Sequence, residues 1–181
     1  MALRLIQFLA IMLTALALVP SEAHLAALPN KMAMAEAAYF VAQQIYNGWA
    51  LFGIVLFGAL AVNLAHTIVL RRLGRSFGYA LASFLLIAAN LGIFFVWTFP
   101  TKQATSNWTV VPKNWNKLRS QWEYSHAANA IVTFAALVCV VTAVLRQPSQ
   151  ASQGNRTLVG VVTLTGKRQD MFLLRRYWCD T

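Results

Sequence analysis

Trp115-Asn116-Lys117-Leu118-Arg119-Ser120-Gln121-Trp122-Glu123-Tyr124-Ser125-His126-Ala127-Ala128-Asn129 is the densest run of aromatic and ionisable groups in a chain otherwise built mostly of Ala, Leu, Val and Phe. It passes without a break into residues 130–145, an apolar segment with the character of a membrane helix. On helical spacing, Arg119 and Glu123 stand at i and i+4, as do Trp122 and His126. Glu123 and His126 stand at i and i+3, and so do His126 and Asn129. One helix face therefore carries a cation, a carboxylate, an imidazole and an amide as it enters the bilayer.

Composition agrees with a membrane setting. Of 181 residues, 59% are hydrophobic and only 11% are charged, whereas about a quarter of a soluble domain is charged. Such a chain lacks the polar surface to cover a globule in water and suits lipid as solvent. The net charge of +10 does not indicate nucleic acid, because the cations fall between and after the apolar runs rather than on one polar domain. Cys139 and Cys179 are far apart and form no CxxC pair, so no thiol redox motif or cysteine metal site is indicated.

The pattern predicts an all-α integral membrane four-helix bundle with spans at about 2–20, 48–70, 77–99 and 126–145. The first run, with Arg4 as its lone cation, is read as a retained helix. A cleaved signal peptide ending near Ser21-Glu22-Ala23 is the competing reading. Residues 21–31 read as polar punctuation, with Pro20, His24, Pro29, Asn30 and Lys31. A helical pattern then runs from Met32 to Leu70, far longer than one crossing. The second helix is thus expected to extend beyond the bilayer, and so is the fourth, from about Pro112 to Leu145. Pro100 is expected to stop the third. Residues 147–181 read as a basic cytoplasmic tail able to lie on an anionic membrane surface.

Lys and Arg set the orientation. With the N-terminus inside, ten cations fall on inner segments and five on outer ones. This predicts an inner (plasma) membrane protein with both termini cytoplasmic. Residues 21–47 and 99–125 then share the outer face. They bring His24, Lys31, Gln44 and Tyr46 toward Trp108, Trp115, Arg119, Trp122, Glu123 and His126. His66 falls near the inner end of the second helix, so neither a three-histidine metal site nor a haem held by His66 and His126 is indicated. No cofactor is expected.

Plainer roles exist for most of these groups. Arg119 and Glu123 form an ordinary i,i+4 pair. The indoles form an interfacial belt. Asn63, His66 and Asn90 make interhelical hydrogen bonds or headgroup contacts. His126 resists that treatment, because an imidazole at the hydrocarbon edge needs a partner and exchanges protons near neutrality.

Three stretches carry a resemblance. They are Thr14-Ala15-Leu16-Ala17-Leu18-Val19-Pro20 with Ala23-His24-Leu25 and Leu28-Pro29-Asn30-Lys31; Gln44-Ile45-Tyr46-Asn47-Gly48-Trp49; and Asn107-Trp108-Thr109, Pro112-Lys113-Asn114-Trp115 and residues 118–130. Together, over about residues 1–146, they resemble a bacterial group of small four-helix membrane proteins related to the anthrone-oxygenase-like family. The resemblance implies oxygenation of a phenolic polycyclic substrate by molecular oxygen with no metal or flavin. His126 or His24 would be the base, and Arg119 or Lys31, beside Glu123, would stabilise the anion. Trp115, Trp122 and Tyr46 would stack on the rings, with Lys31 and Asn129 completing the binding surface.

Three functions follow as expectations. The first is a small-molecule binding or accessory membrane protein, whose partners are the lipid bilayer and a small aromatic ligand, with oligomerisation left open. The second is a cofactor-independent anthrone-type oxygenase at the outer face. The last is a transporter subunit, disfavoured because no acidic residue lies mid-span to couple an ion.

Overall fold

The protein is seen in a computed structural model that describes residues 1–73 and 76–147. The chain divides into two units, Met1–Arg146 and Gln147–Thr181. The tail expected over 147–181 lies outside the described residues apart from Gln147, and Arg75 of the basic turn also lies outside them. The first unit is all-α. Its elements are α1 (Ala2–Ala33), α2 (Glu36–Gln43), two 3₁₀ turns (Gln44–Tyr46 and Trp49–Leu51), α3 (Phe52–Leu73), α4 (Phe77–Ile93), a wide π turn (Phe94–Thr98), α5 (Phe99–Ala104) and α6 (Trp115–Leu145). Four stretches are long and apolar enough to cross a membrane: Ala2–Ala33, Trp49–Leu73, Phe77–Ala104 and Trp115–Leu145.

The four long helices form a closed ring in the order α1, α3, α4, α6. Three layers fix their antiparallel course. One end holds Leu3, Leu70, Ala80 and Ala143. The middle holds Ala17, Ala59, Ile87 and Ala136, and the far end holds Tyr39, Phe40, Trp108 and Trp122. The outside is apolar, with Phe8, Leu16, Ile54, Leu64, Leu85, Ile131 and Phe134 all exposed. The inside carries polar groups. Asn63 Nδ2 donates to Thr14 Oγ1 (2.9 Å), Ser83 Oγ donates to Asn63 Oδ1 (2.8 Å), and Asn90 donates to Thr133. This inverted arrangement is how helices associate in lipid, where small residues and interhelical hydrogen bonds replace the hydrophobic drive. Asn63 and Asn90 thus bond across helices as expected. His66 is fully buried, so it makes no headgroup contact, and neither of its nitrogens has a partner.

Three expected boundaries are corrected. The punctuation at 21–31 does not interrupt α1, which runs through Pro20 and Pro29 to Ala33. Its buried positions, Gln7, Ala10, Thr14, Ala17, Ser21, His24 and Lys31, follow the alternating three- and four-residue spacing of a bundle seam. The polar residues continue the buried stripe of the apolar ones, and that packing outweighs the cost of the prolines. The pattern from 32 to 70 is not one helix. The backbone is extended at Met34 and Ala35, and Gly48 adopts φ +85°, a conformation suited to glycine. The helical region therefore breaks into α2, two short turns and α3. Finally, Pro100 does not end the third span. The π turn before it absorbs the proline's missing N–H and its clash with the preceding turn. The helix then continues to Ala104, and the Trp97 carbonyl accepts from Thr101 Oγ1 (3.0 Å) and Gln121 Nε2 (2.9 Å).

Candidate functional site

The α1–α3 and α4–α6 connections meet at one end of the ring. Gln44 Nε2 donates to the Trp108 carbonyl (3.1 Å), and Arg119 Nη1 donates to the Met34 carbonyl (2.8 Å). Beneath them Glu123, from α6, is fully buried and faces α1 and α2. Its Oε1 accepts from Tyr39 Oη (2.8 Å), Gln43 Nε2 (2.9 Å) and Lys31 Nζ (3.2 Å). Its Oε2 lies 3.4 Å from Lys31 Nζ and 3.2 Å from His24 Nδ1. A buried carboxylate is tolerated because a buried ammonium neutralises it and several donors replace its water.

His24 Nδ1 also lies 2.7 Å from Lys31 Nζ. That nitrogen either carries a hydrogen and donates to Glu123, or carries none and accepts from the ammonium. Tyr39 stays a donor. Its burial, and then the Glu123 carboxylate, push its hydroxyl above the usual phenol range. Burial and Glu123 raise Tyr46 in the same way.

A ring stack joins this cluster to a cavity. His24 lies parallel to His126 (centroids 4.0 Å apart, planes 8° apart) and to Tyr46 (4.2 Å, 26°). Two such close parallel contacts place His24 between the other two rings. Trp122 sets its edge geometry against both imidazoles, at 5.7 and 4.7 Å, and Lys31 Nζ sits 4.2 Å over the Tyr46 ring. His126 is half-buried. Both of its nitrogens are out of solvent contact and make no hydrogen bond, and the same holds for Asn129 Oδ1 and the Trp122 indole N–H. His126, Asn129 and Trp122 line a cavity of about 170 Å³. Its wall continues through Ser21 and His24 on α1, through Phe52, Leu56 and Phe57 on α3, and through Asn90, Phe94 and Thr98 toward the α4 side.

The backbone above the cavity is held in an uncommon form. Ser106, Asn107 and Trp108 all have positive φ, at 46°, 58° and 64°. A left-handed turn of three non-glycine residues costs about 1–2 kcal/mol per residue. It is held by hydrogen bonds from Asn107 N–H to the Lys102 carbonyl (2.8 Å) and from Trp108 N–H to Thr105 Oγ1 (3.2 Å). The result places the buried Trp108 ring against Tyr39 (5.2 Å) and Trp122 (5.6 Å).

The structure brings His24, Lys31, Tyr46, Trp122, Glu123, His126 and Asn129 together. Lys31 and Glu123 stand behind His24, off the cavity wall. Arg119 and Trp115 stand off the cavity wall, on the outer side of Tyr39 (Arg119 5.6 Å over its ring, Trp115 6.3 Å from it). Arg119 does not pair with Glu123 along the helix as expected. Its guanidinium lies 4.7 Å over Trp115 and bonds Met34 and Asn116, so it ties down the break after α1. The interfacial-belt reading fails for Trp108 and Trp122, which are buried, while Trp97 is half exposed. The sequence reading missed Tyr39 and Gln43 as Glu123 donors, while Trp108, expected at the shared outer face, does line the cavity. The i,i+4 spacing of Tyr39 and Gln43 was the available signal. Among the described residues no three histidine, cysteine or carboxylate groups converge as metal ligands do. Comparison of the chain with protein-family models, with curated proteins and with solved structures finds no match.

Proposed function

We infer that this bundle binds a small ring-bearing molecule in the cavity and holds its hydroxyl against His126. The observation that carries the reading is the imidazole itself: it lines an aromatic cavity with both nitrogens unpartnered. A neutral imidazole offers one acceptor and one donor, and a buried polar group left without a partner is costly. Neither His126 nitrogen nor Asn129 Oδ1 is in solvent contact as the side chains stand; a turn of the imidazole and the amide toward the cavity lets one ligand hydroxyl satisfy the acceptor nitrogen and a second hydroxyl or a water satisfy the amide oxygen. Size supports one ring, since a cavity of about 150 Å³ accommodates benzene and this one measures about 170 Å³. The cation excess near the α1 N-terminus and the α3–α4 turn supports a cavity end facing outward from a cytoplasmic membrane. Fluorescence quenching by a nitrophenol in detergent tests the reading. Saturable binding by the wild type and at least tenfold weaker binding by His126→Phe are expected; equal binding by both proteins overturns it.

One observation favours a second reading, oxygenation without a cofactor. The unpartnered imidazole is also the group available as a base for a ring hydroxyl or an acidic methylene once it turns into the cavity. Molecular oxygen is then the oxidant. One of its atoms becomes the new carbonyl oxygen, and the other leaves as water with the two methylene hydrogens. A three-ring substrate must leave part of itself outside the cavity. Oxygen uptake with an anthrone distinguishes this reading from simple binding: no uptake by the wild type, or uptake unchanged in His126→Phe, removes it.

A further inference from the structure

The cavity has two kinds of wall. Its α1 and α6 side presents Ser21, His24, His126 and Asn129. Its α3 and α4 side is mostly apolar, with Phe52, Leu56, Leu91 and Phe94. Two further wall residues on that side, Phe57 and Phe95, are 54% and 52% exposed on the outer surface of the bundle. A ring that both lines a cavity and lies on the lipid-facing surface marks where the two meet. Gly53, one turn before Phe57, also lines the cavity, and a Cβ there would meet nothing within 4 Å.

Depth decides what lies outside this gap. Ala59 and Ile87 belong to the middle layer. At about 1.5 Å per residue, Phe57 stands roughly 3 Å and Phe95 roughly 12 Å from that layer. Both distances fall within the half-thickness, about 15 Å, of a hydrocarbon core. The gap therefore faces acyl chains. The groups on the wall nearer water are Lys102 and Asn107, at the end that carries the connections.

We propose that Gly53, Phe57, Leu91 and Phe95 frame a lateral portal between α3 and α4, through which a phenol or quinol bearing an apolar tail enters from the bilayer. The ring reaches His126 and Asn129, and the tail stays between Phe57 and Phe95 in lipid. This assignment rests on the ring-binding reading above and adds the ligand's class and its route. Wall polarity orients the molecule: hydroxyl toward α6, tail toward α3 and α4. An untailed phenol satisfies the same polar groups but makes no use of the portal.

The test uses the full chain in lipid nanodiscs with two probes, 4-methylphenol and 4-dodecylphenol. Gly53→Phe is expected to weaken dodecylphenol binding at least tenfold, and at least fivefold more than it weakens methylphenol binding. A dodecylphenol with a diazirine near the tail end is expected to label wild-type α3 and α4 peptides around Phe57 and Phe95. Absence of binding by either phenol to the wild type overturns the ring-binding reading and the portal with it. Binding of both phenols by the wild type, with Gly53→Phe weakening them equally or not at all, overturns the portal alone. Labelling confined to the segment around Lys102 and Asn107 does the same, because it places entry on the water side. If Gly53→Phe does not fold, the wild-type labelling pattern decides.

Discussion

His24 and His126 lie face to face, with ring centroids 4.0 Å apart and planes 8° from parallel. They come from α1 and α6, yet only one is hydrogen-bonded. His24 is bound to the Lys31–Glu123 pair, while both His126 nitrogens are unpartnered. Both imidazoles lie on the cavity wall, but only the first is fixed there by hydrogen bonds.

His126→Phe keeps a flat ring on His24 and removes two buried, unpartnered nitrogens. Thermal unfolding in detergent is expected at the same temperature as the wild type or higher, since each such group costs about 1–3 kcal/mol. A large drop in melting temperature would show that the imidazole is needed for packing rather than for a ligand.

Lys31 and Glu123 are each nearly inaccessible, at 3% and 0% exposure. Either Glu123→Gln or Lys31→Met alone strands a buried charge, with an expected loss of about 3–5 kcal/mol. The double variant strands neither, and is expected to recover most of that loss. Additive losses in a double-mutant cycle measured by equilibrium unfolding would mean that the pair is not coupled.

Asn63 joins α1, α3 and α4 through Thr14 and Ser83. Interhelical hydrogen bonds in membranes average about 0.6 kcal/mol and reach about 1.7. Asn63→Leu should therefore cost on the order of 1–3 kcal/mol in unfolding by a denaturing detergent. An unchanged midpoint would show that this layer is held by shape alone.

Pro100→Ala restores a backbone donor where the π turn now accommodates its absence. The third span is expected to regularise and turn Thr98 away from Ser125 Oγ, to which it now lies at 2.9 Å. Thr98 lines the cavity, so phenol binding should weaken several-fold while the helix remains. Unaltered binding together with an unaltered π turn in a structure of the variant would trace the turn to packing and not to the proline.

Single cysteines at Lys113 and Arg72 report topology. In intact cells an impermeant maleimide is expected to label Lys113→Cys and to reach Arg72→Cys only after permeabilisation. The opposite pattern would invert the orientation inferred from the cations.

Much of this was legible in the chain. Length and hydropathy located four spans, and the 115–129 run located the end where the buried ionisable groups collect. The seam in α1 was readable too, because Ala10, Thr14, Ala17, Ser21, His24 and Lys31 keep one spacing. Its polar members and prolines masked it as a loop. Reading Lys31 as wet followed from treating charge as a sign of solvent, whereas its neutralising carboxylate lies 92 positions later. The same distance hid the partners of Glu123, and Arg119 at i−4 offered a nearer but unused match. The left-handed turn at 106–108 carries no glycine to mark it; the local hydrogen bonds to Lys102 and Thr105, together with the burial of Trp108, hold it in place.

The separation between Lys31 and Glu123 also bears on biogenesis. At synthesis rates of about 5–20 residues per second, the carboxylate follows its ammonium by roughly 5–20 s. Throughout that interval the ammonium, roughly 21 Å along the helix from the middle-layer Ala17, lies beyond the hydrocarbon and is held by water. Arrival of the closing helix replaces that water with the Glu123 carboxylate. Closure of this end of the bundle is thus a late event, timed by the last helix.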